Sequence, residues 1–103
     1  MQVIADTREQ DTAYFRARTA QIGCAVIREK LDFGDYSARF LLDDGAWFDM
    51  RQHVAIERKS SLDELALCFG RDRARFEREF IRAGGCGARL YLLVEGATWE
   101  AAI

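Results

Sequence analysis

The chain has no proline, one histidine and three cysteines among its 103 residues. Without proline, the punctuation between elements falls to glycine and aspartate. Cys24, Cys68 and Cys86 are widely spaced and contain no C-x-x-C pair. With only His53 to join them, they argue against a zinc site of the usual Cys/His kind. They read as reduced thiols in or near a core, and His53 as an ordinary strand residue. No apolar run approaches the roughly 18–20 residues that span a bilayer. The opening MQVIADTREQ lacks the basic start and apolar stretch of a secretory signal. The expected setting is therefore cytoplasmic, with no membrane. A positive charge excess is also missing. The formal net charge is −2, so no general basic surface advertises a nucleic-acid partner.

What is present is a globular composition, with half the residues apolar and 31% charged, at a length typical of one domain, 1–103. The cations are biased: apart from Lys30 and Lys59, all are arginine, the better bidentate partner for phosphate and carboxylate. Residues 2–6 read as a strand, and Asp11 can cap a helix over about 12–22 with Tyr14, Phe15, Ala17, Ala20 and Ile22 as candidate buried positions. Residues 24–30 read as a second strand. Tyr36, Ala38, Phe40 and Leu42 alternate along a third, Asp43-Asp44-Gly45 makes a hairpin turn, and the chain returns over about 47–59. Ser60 or Ser61 caps a helix to about Phe69, with Leu62, Leu65, Ala66 and Phe69 on one face. A second helix follows over about 71–83, with Phe76, Phe80 and Ile81 on one side, and then a glycine-rich loop over 84–87. Residues 88–95 are apolar on both faces, as expected of a central strand covered on each side. TWEAAI begins like a helix. The order β-α-β-β-β-α-α-β is that of a mixed α/β sheet flanked by helices.

Several acidic residues fall at strand ends. Asp6 closes the first strand, with Arg8 and Glu9 in the loop beyond it, and Asp35 follows Gly34 at the start of another. Glu57 and Lys59 stand two apart near the end of the return strand, so alternation puts them on one face and Arg58 on the other. Carboxylates are hard oxygen ligands for Mg²⁺, and a neighbouring lysine can orient a metal-bound water or offset charge building on phosphate. The same spacing also fits an exposed ion pair worth under about 1 kcal/mol. Arg71, Arg75, Arg78 and Arg82 recur every three or four residues, a stripe that can track a DNA backbone. Glu79 can pair with Arg75 or Arg82, and Glu77 with Arg73, so a solvated, salt-bridged face fits equally.

Gly34-Asp35-Tyr36, followed by Glu57-Arg58-Lys59 and Asp63, resembles the GD…ERKxxxD signature of the XPF-type excision-repair nuclease domain. VIADTREQ is similar to that family's first strand and acidic loop. The run from Ile56 through the two helices, and then LYLLVEG, continue the resemblance in order over nearly the whole chain. It implies a restriction-endonuclease-like fold of the PD-(D/E)xK kind: a mixed sheet flanked by helices. It further implies hydrolysis of DNA phosphodiesters with Mg²⁺ or Mn²⁺, leaving a 5′-phosphate and a 3′-hydroxyl. Asp35 and Glu57 match metal ligands and Lys59 the catalytic lysine. Asp6 matches a further catalytic, metal-binding acid. Glu9, Arg8, Arg58 and Asp63 match supporting positions; Asp63 equally suits a helix N-terminus by its charge. The expected function is structure-specific cleavage of flap, fork or junction DNA in repair or recombination, with branched DNA as partner and a homodimer or another nuclease domain alongside. A non-catalytic DNA-binding scaffold on the same fold is the alternative. The resemblance departs in a longer segment between Asp35 and Glu57, in the lack of a helix-hairpin-helix pair or helicase part, and in the lack of the family's later elements. The fold is therefore expected to be truncated at its C-terminus, with the natural chain continuing past Ile103.

Overall fold

The computed structural model describes residues 1–98. Its elements are β1 (Gln2–Ala5), α1 (Ala13–Ala20), β2 (Val26–Arg28), β3 (Tyr36–Leu41), β4 (Trp47–Asp49), β5 (Val54–Lys59), α2 (Leu62–Cys68), α3 (Arg73–Gly85) and β6 (Arg89–Val94). The strands form one mixed α/β sheet in the order β2-β1-β3-β5-β6, with β4 beside the outer half of β3. β1 runs parallel to β2, and β5 parallel to β6, while β3 is antiparallel to both β1 and β5. β1 and β5 therefore point the same way, and their crossovers leave in opposite directions. Right-handed crossovers then put α1 on one face and α2 and α3 on the other. The core follows this division. Phe15 of α1 packs with Ala5 and Tyr36, while Ala83 of α3 packs with Phe33 and Ala55.

The topology also places chemistry. The C-terminal ends of β1 and β5 flank the N-terminal end of β3 between them, so the residues after β1, before β3 and at the end of β5 meet at one edge. Two backbone bonds tie that edge together: Asp6 N–H donates to Asp35 O at 2.8 Å, and Asp35 N–H to Ile56 O at 2.8 Å.

Local chemistry adjusts several expected elements. Thr12, not Asp11, caps α1, accepting from Phe15 N–H at 3.1 Å, while Asp11 instead pairs with Arg16 at 3.1 Å. Only Phe15 of the expected α1 positions is buried; Tyr14, Ala17, Ala20 and Ile22 are exposed, because the helix covers the sheet with a single side chain. The return run is two strands rather than one. Arg51 folds back onto Asp49 and Glu29, and His53 N–H donates to Met50 O at 2.8 Å, making a turn over 50–53. His53 lies in that turn, its ring stacked on Phe48. Ser61 caps α2, accepting from Glu64 N–H. Cys68 is the buried residue of α2, whereas Phe69 turns outward. α3 runs through Gly84 and Gly85, where a loop was expected, and the turn comes at Cys86-Gly87. β6 is an edge strand, and Tyr91, Leu92 and Leu93 are exposed rather than covered on both faces. The three cysteines are free. Most of the expected TWEAAI helix lies outside the described residues. Among the described residues no helix is long and apolar enough to cross a membrane.

Candidate active site

A cleft of about 880 Å³ opens at the edge where β1, β3 and β5 meet, lined by Arg8, Glu9, Asp35, Glu57, Arg58 and Lys59 among others. It continues under α3 as a recess of about 260 Å³, where Cys68, Asp72, Arg75, Phe76 and Glu79 join the same acids and lysine.

Glu57 and Lys59 share one face of β5, and their charged groups lie 3.5 Å apart. Their side chains are only 11% and 14% exposed, so this is not a solvated surface pair. The Lys59 ammonium also sits 5.5 Å over the Phe76 ring of α3, which fixes its direction by a cation–π contact. Asp35 is oriented by the backbone of β5: Arg58 N–H donates to Asp35 Oδ2 at 2.7 Å.

The electrostatics are those of crowded carboxylates. Burial and the charge of Asp35 push Glu57 up to about 7. Burial also raises Asp35, although the Arg58 amide and the Lys59 and Arg8 charges oppose it. Burial and Asp35 raise Glu9. For Lys59, burial pulls downward, but Glu57, Cys68 and Glu64 together outweigh it and hold the ammonium above its ordinary value. A buried and a half-buried carboxylate with an unfavourable mutual charge, lining an open cleft, suit a hard divalent cation that takes its other ligands from water and phosphate oxygens.

A stability prediction follows from the raised acids. Folded Glu57 keeps a proton that the unfolded chain releases from about pH 4.5 upward, so its contribution is full below that pH and is lost as pH rises through about 7. Asp35 and Glu9 act in the same direction. In EDTA, Tm should therefore fall between pH 5.5 and 8, and Glu57→Gln should flatten the fall. A melting temperature that is level or rising over that window would contradict the crowding.

Not all the expected residues join the cluster. Asp6 is fully buried; its Oδ1 accepts from Leu31 N–H at 2.8 Å and its Oδ2 from the Arg8 guanidinium. Both oxygens are thus used in holding the 29–33 loop and Arg8. Among the described residues no three acidic, histidine or cysteine side chains gather with spacing suited to a metal ion. This departs from the three-acid set of Asp35, Glu57 and Asp6. Glu9 lines the cleft but pairs with Arg18 at 3.7 Å. The Arg58 side chain turns to the opposite face and pairs with Glu95. Asp63 is exposed on the first turn of α2.

Arg71 and Arg75 are about three-quarters exposed and lie 3.6 Å from Asp72, while Arg82 is 3.8 Å from Glu79. Arg78 is exposed. Arg73 pairs with Glu77 at 2.8 Å. Arg75 also lines the recess that holds Lys59, which brings the stripe to the border of the cleft. Sequence reasoning missed Glu79 as a site residue: it is only 12% exposed, and its charge acts on both Asp35 and Glu57. Helical spacing offered only an arginine partner for it.

A family model described as the ERCC4 domain matches residues 5–103. Among solved structures, the chain is similar to XPF from Aeropyrum pernix, with 19% identity and a TM-score of 0.41 over 91% of this chain. The match covers 54% of that structure, so the chain spans about half the length of this relative. No curated protein matches.

Proposed function

The chain belongs to the ERCC4 domain family, and on that premise we propose that it is a divalent-metal-dependent endonuclease acting on DNA, branched DNA above all. The observation that carries this reading is the meeting of Asp35, Glu57 and Lys59 in one open cleft, with Lys59 3.5 Å from Glu57. Asp35 and Glu57 would hold Mg²⁺ or Mn²⁺. When bound, such an ion polarises a phosphate oxygen and makes a water a stronger nucleophile at neutral pH. Lys59, fixed between Glu57 and the Phe76 ring, holds a cation where the attacking water and the phosphate charge would lie. Arg8 is 57% exposed on the cleft wall and offers guanidinium hydrogens to the substrate backbone. Asp6 serves by anchoring Arg8.

Arg71, just before α3, and Arg75, Arg78 and Arg82 on it would follow DNA phosphates, with Arg75 bringing the stripe to the cleft border. Removing Arg75 and Arg78 together should weaken binding for all sequences and lower the salt slope by about 2. An unchanged slope in that double variant would return the helix to a solvated face. The exposed apolar groups Ile56, Tyr91 and Leu93 on the sheet support pairing with a second nuclease domain. A DNA substrate places the protein inside the cell.

The reading is tested by incubating the chain with single-stranded, duplex, flap and forked DNA in Mg²⁺, Mn²⁺ or EDTA. Metal-dependent cutting of flap or fork DNA, abolished by EDTA, is expected. Binding without cutting in every metal would overturn the enzyme reading in favour of a scaffold.

A further inference from the structure

Gly34 precedes the catalytic aspartate and has a left-handed backbone, φ +76°. It lies two residues before β3, outside the ladder, so no strand satisfies its buried amide. Side chains do so instead. Glu79 Oε2 accepts from Gly34 N–H at 2.9 Å, and Arg8 Nη2 donates to Gly34 O at 3.3 Å. Arg8 Nη1 in turn donates to Glu79 Oε1 at 3.4 Å. A carboxylate from α3 and a guanidinium from the loop after β1 thus bracket both polar groups of one glycine. On its other side, Asp35 is held by backbone bonds to Ile56 and Asp6.

The bracket has a firm base. Ala83, one turn beyond Glu79 on α3, is buried against Phe33 and Ala55, so the helix is seated on the sheet at this level. The cost of the arrangement is visible too, because Glu79 brings another negative charge toward Asp35 and Glu57. A carboxylate that only paired with arginines could do so from the exposed side of α3. This one is nearly buried and spends one oxygen on a backbone amide.

We propose that Glu79 is a positioning residue, which holds the Gly34–Asp35 turn so that the Asp35 carboxylate faces Glu57 across the cleft. This rests on the metal-dependent reading above and adds to it a residue that never touches the ion. Glutamine can make the same bond through its amide oxygen; alanine cannot. The bond to Gly34, rather than the charge, is what the site requires.

The test is a titration with Mn²⁺ alone, without DNA, followed by electron paramagnetic resonance, on the parental chain and on Glu79→Gln, Glu79→Ala and Glu57→Gln. Hydrogen exchange of the Gly34 amide is measured alongside. Glu79→Ala should weaken Mn²⁺ binding about tenfold, in line with the usual effect of removing a support behind a metal ligand. It should also speed exchange at Gly34. Glu79→Gln should stay within about threefold of the parental affinity and keep the amide protected. Parental affinity in Glu79→Ala, with binding lost in Glu57→Gln, would overturn this inference and leave the proposed function standing. Loss in Glu79→Gln equal to that in Glu79→Ala, with Gly34 still protected, would overturn it in favour of charge. Parental affinity in Glu57→Gln would remove the metal reading and this inference together. If Glu79→Ala does not fold, the parental chain decides: a Gly34 amide that exchanges as fast as an exposed one overturns the proposal.

Discussion

Glu57→Gln is expected to lower DNA cleavage by about 10²-fold or more and to lose divalent-cation binding with it, whereas Lys59→Ala should lose a similar amount of cleavage while keeping the cation. The two variants separate because they remove different parts of the site. Glutamine preserves the shape of Glu57 but supplies no negative charge, and a hard cation held by only two carboxylates depends on each. Alanine at position 59 leaves both carboxylates in place and removes the ammonium beside them, so the ion has its ligands and the developing charge on phosphate has lost its partner. Burial sharpens both effects, since Glu57 and Lys59 are each less than 15% exposed and water screens them poorly. In EDTA at pH 8, where Glu57 is ionised, DNA binding should change little, or improve for Glu57→Gln, because one negative charge facing the phosphates is gone. Parental cleavage rates in both variants would mean that the pair is structural and that the chemistry lies elsewhere.

Gly34→Ala should be the most destabilising small substitution in the site. A methyl group there would lie 2.8 Å from Ala55 Cβ, 3.3 Å from Ile56 O and 3.2 Å from a Leu90 methyl. Ala55 is buried and short, so it cannot swing aside. The left-handed backbone adds about 1–2 kcal/mol for any side chain, and overpacking a fitted core about 1–3 kcal/mol more. Together these predict a fall in Tm on the order of 10 °C or more for a domain of this size. Gly45 is the internal control. It has a similar φ of +85°, but nothing lies within 4 Å of the added carbon, so Gly45→Ala should cost only the backbone share. Equal melting temperatures for the two variants would contradict the close approach of β3 and β5 at Gly34.

The parts of the site that were legible in the sequence are those fixed by strand alternation and sheet topology. Glu57 and Lys59 had to share a face of β5. Asp35, placed just before a strand antiparallel to its neighbours, had to meet the end of β5 once β3 paired with it. The hairpin turn at 43–45 and a serine cap at Ser60 or Ser61, which proves to be Ser61, were legible because their side chains act on residues two to four positions away. Contacts between distant elements were not. Glu79 meets Gly34 across 45 positions, and Asp6 is drawn from the acidic cluster by Leu31, 25 positions on. Burial was overread for a related reason. The apolar residues of α1 and β6 carry the pattern of covered elements, yet an eight-residue helix and an edge strand leave most of them exposed. Asp11 and Thr12 are neighbours that can both cap, aspartate with the stronger preference, and the choice of Thr12 depended on where the loop after β1 delivered the chain.

Under the proposed function, Asp35 and Glu57 form the binding site of a divalent cation at the head of the cleft. Diffraction from crystals of the chain soaked in MnCl₂, recorded at the manganese absorption edge, tests it most directly. An anomalous peak between the two carboxylates, absent from Glu57→Gln crystals treated alike, is expected. A peak elsewhere, or a peak that survives Glu57→Gln, would contradict it.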